Sequence, residues 1–250
     1  MRFATSIPQF YAGGEFDPEE FRAYFSRAEE LGYESAWAQE QTLGAAPQLS
    51  PVEAMTYAAA VTSRMRLGCV VFVSTLHSPV HLAKSLATLD QLSKGRIDVG
   101  VGTGGPRRPF AAFGVASPTA LRRAVRLGDG FFGAGSSTTE AFAQQVVTVR
   151  EALAAAGKSA ADFPIAKRVY ISIDSDADRA RRRVNAELEK LYGSRVPAIE
   201  EAAVAGTVDG CLREVRRVAE AGAELILFTP LHDQAWHAEQ IAAEIIPQIG

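Results

Sequence analysis

The chain has 250 residues and only two cysteines, Cys69 and Cys211. Two thiols cannot staple a disulfide framework or build a thiolate zinc site. Cys69 lies in an apolar run and reads as a small buried hydrophobe. Positive charge is also scarce. Lys and Arg number 26 against 29 Asp and Glu, a formal net charge of −3, so neither nucleic acid nor an anionic membrane is an expected partner. No apolar run approaches the roughly 20 residues that span a bilayer. The opening MRFATSIP is strand-like from its first residues, with no basic or apolar leader ahead of it. A cytoplasmic protein folded as a single domain over residues 1–250 is the expectation, since 47% hydrophobic residues suffice for a full core.

What is present is a regular alternation. Strand-like runs at Arg2–Pro8, Glu34–Ala38, Met65–Ser74, Arg96–Val101, Asp129–Gly133, Ile165–Ile173 and Glu224–Thr229 are separated by amphipathic helical patterns. The first helix opens on Asp17-Pro18-Glu19-Glu20, an N-cap acid with proline behind it, and Gly32 stops it. Ser-Pro pairs at Ser50, Ser78 and Ser117 open later helices in the same way. Seven strands alternating with helices predict a parallel sheet with right-handed crossovers. The repeated helix entries and the spread of polar strand-end residues favour an α/β barrel over an open sheet.

Gly100-Val-Gly102-Thr-Gly104-Gly105 matches the GxGxxG dinucleotide pattern. It follows the fourth strand instead of the first, and Pro106 and Pro109 stand where a helix should carry a pyrophosphate. It therefore reads as a strand-to-loop turn whose small residues permit close approach.

Four stretches together carry a resemblance: AEELGYESAWAQE (Ala28 to Glu40), STLHSPVHLAKSLATLDQLSKGRIDVGVGTG (Ser74 to Gly104), ALRRAVRLGDGFFGAG (Ala120 to Gly135) and AGAELILFTPL (Ala221 to Leu231). In that order they resemble the luciferase-like flavin and deazaflavin oxidoreductases, more narrowly those that use the deazaflavin F420. The resemblance implies a TIM-type (β/α)8 barrel with the cofactor ring at its C-terminal mouth. It implies hydride transfer between F420 and a small organic substrate. An FMN-dependent monooxygenase, or a shortened barrel that only binds a partner, are the alternatives. The chain departs from the family in one respect. Phe113-Gly114-Val115-Ala116 runs straight into Ser117-Pro118, so one helix-strand unit is missing and about seven strands remain. Apolar surface left bare there predicts a homodimer.

Barrel chemistry sits at the C-terminal ends of strands. Glu40 after the second strand is a candidate proton donor if burial raises its pKa toward working pH, or else a solvated loop residue. Gln39 beside it can hydrogen-bond ring or substrate. The resemblance places Val70 and Val71 under the ring, on a strand that carries a non-prolyl cis bulge in the family. Gly102, Thr103 and Gly104 suit a ring edge or phosphate chain, and Arg107 and Arg108 either pair an acidic tail or lie in solvent. Gly135 and Ser136 form a second candidate cofactor turn ahead of a helix. His77 is placed to touch substrate or to fix its own loop. No metal site is expected: His77 and His81 straddle a helix start, and His232 and His237 show no carboxylate at a usable offset. No Ser-His-Asp arrangement is legible.

Overall fold

Asp17 starts the first helix as predicted. In the computed structural model of the chain, which describes residues 1–11, 16–41, 47–102 and 118–249, its carboxylate accepts the N–H of Glu19 at 2.8 Å. Pro18 takes the first helical position of α1 (Pro18–Glu30), which buries Phe21, Tyr24, Phe25 and Ala28 on one side. The chain then leaves through Gly32 at φ +84°, a conformation that suits glycine. The helices that follow are α2 (Pro51–Val61), α3 (Pro79–Ser93), α4 (Pro118–Leu127), α5 (Thr139–Ala156), α6 (Ala177–Tyr192), α7 (Pro197–Ala202), α8 (Val208–Glu220) and α9 (Gln234–Gln240). The strands are β1 (Arg2–Ser6), β2 (Ser35–Ala38), β3 (Arg66–Val73), β4 (Ile97–Gly102), β5 (Phe131–Gly133), β6 (Ile165–Ile173), β7 (Val204–Gly206) and β8 (Leu225–Thr229).

The chain divides into two compact units. One comprises Ala4–Phe113 with Leu191–Gly193; the other comprises Met1–Phe3, Gly114–Lys190 and Ser194–Gly250. In the first, the N-terminal unit, parallel strands run in the order β4-β3-β2-β1. Met55, Leu67, Cys69 and Phe72 fill its core. Arg96 ties the entry to β4 to the end of α2. Its guanidinium donates to the carbonyls of Ala59 (2.9 Å), Met65 (2.8 Å) and Ser93 (2.8 Å) and to the Thr62 hydroxyl (2.9 Å). The arginine of the quoted GRIDVGVG run is therefore structural.

In the C-terminal unit, β6 pairs β8 along one edge and also pairs β5. Arg2 donates its N–H to the Glu224 carbonyl at 2.9 Å, and the rings of Phe3 and Phe228 stack. The seven strands read from the sequence are all present, as β1 to β6 and β8. The eighth, β7, and the short α7 before it were not predicted. β7 is three residues with a single β-branched side chain, and it pairs only with Ile171–Ile173 at the far end of β6. The predicted first strand is also shorter than read, ending at Ser6, because Pro8 cannot donate to a ladder. Among the described residues no helix is long and apolar enough to cross a membrane.

Candidate active site

In the N-terminal unit the chain leaves β2 at Ala38 and reaches Gln39 and Glu40. The Glu40 side chain is 7% exposed. Its Oε2 accepts the Val73 N–H at 2.6 Å. His77 Nε2 stands 2.8 Å from Oε1 and 2.9 Å from Oε2. Either the imidazole donates to the carboxylate or a protonated carboxyl donates to the imidazole, so one proton is shared between the two. His77 follows a single 3-10 turn, Ser74–Leu76, and precedes the N-cap Ser78 of α3. Its ring meets the edge of Phe72 at 6.0 Å between centroids. The structure thus brings together Glu40 and His77, which the sequence separates by 37 residues.

Val70 and Val71 are joined by a cis peptide bond, and the β3–β4 register shifts between Cys69 and Phe72. Val71 lies over Gly102: a Cβ at Gly102 would come within 2.7 Å of Val71 Cγ2. The Ser74 hydroxyl donates to the Gly102 carbonyl at 3.1 Å, tying the ends of β3 and β4 together. At the end of β1 the Ser6 hydroxyl is buried, with no hydrogen-bond partner among the described residues. Thr103, Gly104, Arg107 and Arg108 lie outside the described residues.

Gly135 and Ser136 belong to the C-terminal unit. Ser137 N–H closes a turn on the Ala134 carbonyl at 3.1 Å, and Thr138 caps α5. Gly135 is required by close packing, since a Cβ there would meet Tyr170 Cε2 at 2.5 Å and Arg168 Cδ at 3.1 Å. Beneath the turn lies Lys167, 3% exposed, donating to the Ala134 carbonyl at 2.6 Å and the Arg168 carbonyl at 2.9 Å. Burial, aided by the neighbouring Arg168 charge, pulls its amine down to about 7. Sequence reasoning missed Lys167, because a lysine in IAKRVYISI reads as one more polar residue of a strand.

The structure also assembles a Ser-His-Asp chain where none was legible. The Ser172 hydroxyl lies 3.0 Å from His232 Nε2, and His232 Nδ1 lies 3.3 Å from Asp233 Oδ2. The carboxylate is that of the next residue, Asp233, which adopts a left-handed conformation, φ +44°. Ser172 is wholly buried within β6, so a reacting group cannot reach it as a nucleophile. The role of the chain is visible in the ladder. The β6–β8 pairing ends at Tyr170 and Thr229, leaving the end of β6 without β8. There the histidines take over: His232 meets Ser172, and His237 Nε2 accepts the Ile173 N–H at 3.0 Å while Nδ1 donates to the Asp233 carbonyl at 3.1 Å. Burial holds His237 down to about 4. Among the described residues no group of three His, Cys, Asp or Glu side chains is disposed to hold a metal ion.

Parallel strands alternating with helices define the class as α/β. Over the full chain the structure superposes on a monooxygenase of Streptomyces bottropensis with a TM-score of 0.81 at 18% identity, covering 100% of both chains. It also superposes on the F420-dependent tetrahydromethanopterin reductase of Methanopyrus kandleri with a TM-score of 0.77 at 18% identity, covering 100% of this chain and 99% of that one. The family model for luciferase-like monooxygenases matches residues 1–116 and 109–205, and the chain belongs to that family. The two matched stretches meet where the sequence reading places the missing helix-strand unit. An uncharacterised protein of Mycobacterium tuberculosis is 54% identical over 56 residues, 22% of this chain and 20% of its own length. An F420-dependent glucose-6-phosphate dehydrogenase of Amycolatopsis mediterranei is 32% identical over 120 residues, 45% of this chain and 35% of its own length. The chain therefore spans about a fifth to a third of these relatives. A third relative, the F420-dependent glucose-6-phosphate dehydrogenase of Beutenbergia cavernae, is 24% identical over 320 aligned positions covering 94% of each chain. That alignment is longer than this chain, so part of the relative has no counterpart here.

Proposed function

We propose that the protein is an F420-dependent oxidoreductase that moves a hydride between the deazaflavin and a small organic substrate, its two units working as one barrel domain. The buried Glu40–His77 pair carries this reading. Reducing a carbonyl or oxidising an alcohol moves a proton as well as a hydride, and a carboxylate sharing a proton with an imidazole can give or take one at the Glu40 carboxyl. The deazaflavin, when bound, supplies the hydride chemistry. The residues present fit such a group. Val71 offers an apolar contact over Gly102, next to Val70, and the Ser6 hydroxyl, without a hydrogen-bond partner among the described residues, is available to a polar ring edge. By the family resemblance Thr103 and Gly104 suit a ring edge or phosphate chain, Gln39 meets ring or substrate, and Gly135 and Ser136 are a further candidate cofactor turn. The F420-dependent relatives support this cofactor.

An FMN-dependent monooxygenase is the second reading, favoured by the family's own description. Fluorescence titration with F420 and with FMN separates the readings. Saturable F420 binding is expected. Saturable FMN binding with substrate-linked oxygen uptake would replace it with the monooxygenase, and no binding of either would leave a barrel that serves only as a binding partner.

The homodimer belongs to the same proposal. Val80, Val99 and Val101 are 75%, 48% and 63% exposed, and of the fifteen residues of α3 only Leu89 and Ser93 are buried. This face carries one charge of each sign in α3, Lys84 and Asp90, so two copies can meet on it without net repulsion. Light scattering on the purified chain should give twice the 26.7 kDa monomer mass; a monomer at micromolar concentration would refute it.

A further inference from the structure

The exit from β2 is fastened by a side chain in place of a strand. The β1–β2 ladder ends at Ser6 and Trp37, with one more bond from Ile7 N–H to the Trp37 carbonyl at 2.9 Å. Pro8 comes next and has no N–H to give. Gln9 then turns its carboxamide onto the backbone of Gln39. Its Oε1 accepts the Gln39 N–H at 2.7 Å, and its Nε2 donates to the Gln39 carbonyl at 3.2 Å and to the Leu49 carbonyl at 2.9 Å. Gln9 is 1% exposed, and its own carbonyl accepts the Leu49 N–H at 3.0 Å. Gln48 Nε2 adds a second donor to the Gln39 carbonyl at 2.5 Å. One amide therefore satisfies both backbone groups of Gln39, as a neighbouring strand would.

Gln39 is the residue before Glu40. We infer that Gln9 is a positioning residue for the Glu40–His77 pair: by fixing both backbone groups of Gln39 it sets where the Glu40 carboxylate points. That carboxylate meets two partners, Val73 N–H and His77 Nε2. Bonds of this kind tolerate only a few tenths of an ångström, and a reacting group must be held within about 0.5 Å of its working position. A rotation of the Gln39 peptide would swing the carboxylate away from both partners. Only a carboxamide offers one acceptor and two donors at this length, so neither glutamate nor methionine can replace it. The consequence for turnover rests on the proposed function; the positioning itself does not.

NMR on the protein without cofactor tests it. Gln9→Met should raise the exchange rate of the Val73 amide at least tenfold and abolish the slowly exchanging proton signal shared by His77 and Glu40. The amides of α1 and of Leu67 should exchange as in the wild type. Faster exchange confined to the Gln39 and Leu49 amides, with Val73 and the His77 signal unchanged, would overturn the inference, since Gln9 would then only close its own loop. Gln9→Glu retains the volume and the acceptor for Gln39 N–H, and should show the same Val73 effect should the methionine variant fail to fold. A wild type that binds neither F420 nor FMN would sink the functional reading and leave this experiment decisive for Gln9.

Discussion

The two units use histidine for opposite ends. In the N-terminal unit His77 shares a proton with a buried carboxylate at a strand end and keeps a quarter of its side chain exposed. In the C-terminal unit His237 is wholly buried, and both its nitrogens are spent on backbone groups. The strands differ in the same sense. All five residues of β8 are buried, whereas no residue of β4 is. The C-terminal unit thus spends its polar groups on closing its own ladder. The N-terminal unit leaves β4 unburied and spends a carboxylate and an imidazole on each other at neighbouring strand ends.

The sharpest way to break this contrast is to remove chemistry from each unit. Glu40→Gln should lower turnover about a thousandfold with cofactor affinity nearly unchanged, by loss of a proton-transfer group. Ser172→Ala should change it less than about threefold. Steady-state kinetics with F420 and stopped-flow binding decide, and equal losses would erase the distinction.

Packing comes next. Phe228→Ala should cost about 4 kcal/mol by opening a cavity in the buried strand. Val101→Ala should cost less than about 0.5 kcal/mol when measured by urea unfolding at concentrations where the chain is monomeric. A large cost at Val101 would mean that β4 is covered within its own chain.

Acid should act through His237. Its imidazole titrates at about 4 in the folded chain and near its ordinary 6.5 when unfolded, so between these values the unfolded chain binds the extra proton. Stability is therefore complete above pH 6.5 and is lost as pH falls toward 4. The drop is roughly 2.5 kcal/mol between pH 7 and 4.5. Urea midpoints of the wild type against His237→Gln measure it, and the variant should show a flatter acid limb.

Lys167 works in the same direction at higher pH, and more weakly over the accessible range. With a folded value of about 7 against an ordinary 10.5, the unfolded chain holds one proton more through that window. Stability gains about 1.5 kcal/mol from pH 7 to 8.5. Lys167→Met should lose this rise, which the same midpoints at the two pH values would reveal.

Most of the strand and helix order could be read in advance because it rests on local chemistry: β-branched runs, Asp-Pro and Ser-Pro helix starts, glycine stops. β7 could not, because Val204-Ala205-Gly206 has no run of its own and exists only as a partner for the end of β6. Glu40 and His77 were each singled out, yet their meeting depends on the ends of two strands lying side by side, which no spacing announces. Gln9, Lys167 and the Ser172–His232–Asp233 chain were invisible for a related reason. Each is a polar side chain whose partner is a carbonyl, an amide or a ring brought near by the fold, and a polar letter in a sequence reads first as solvent-facing.

The bareness of α3 bears on how the chain behaves when alone. A fifteen-residue helix with two buried side chains draws little support from its own subunit, and a helix of that length is marginal in water. Its amide hydrogens are then the natural gauge of the proposed homodimer, which predicts quick exchange in dilute solution and exchange slowed in step with concentration.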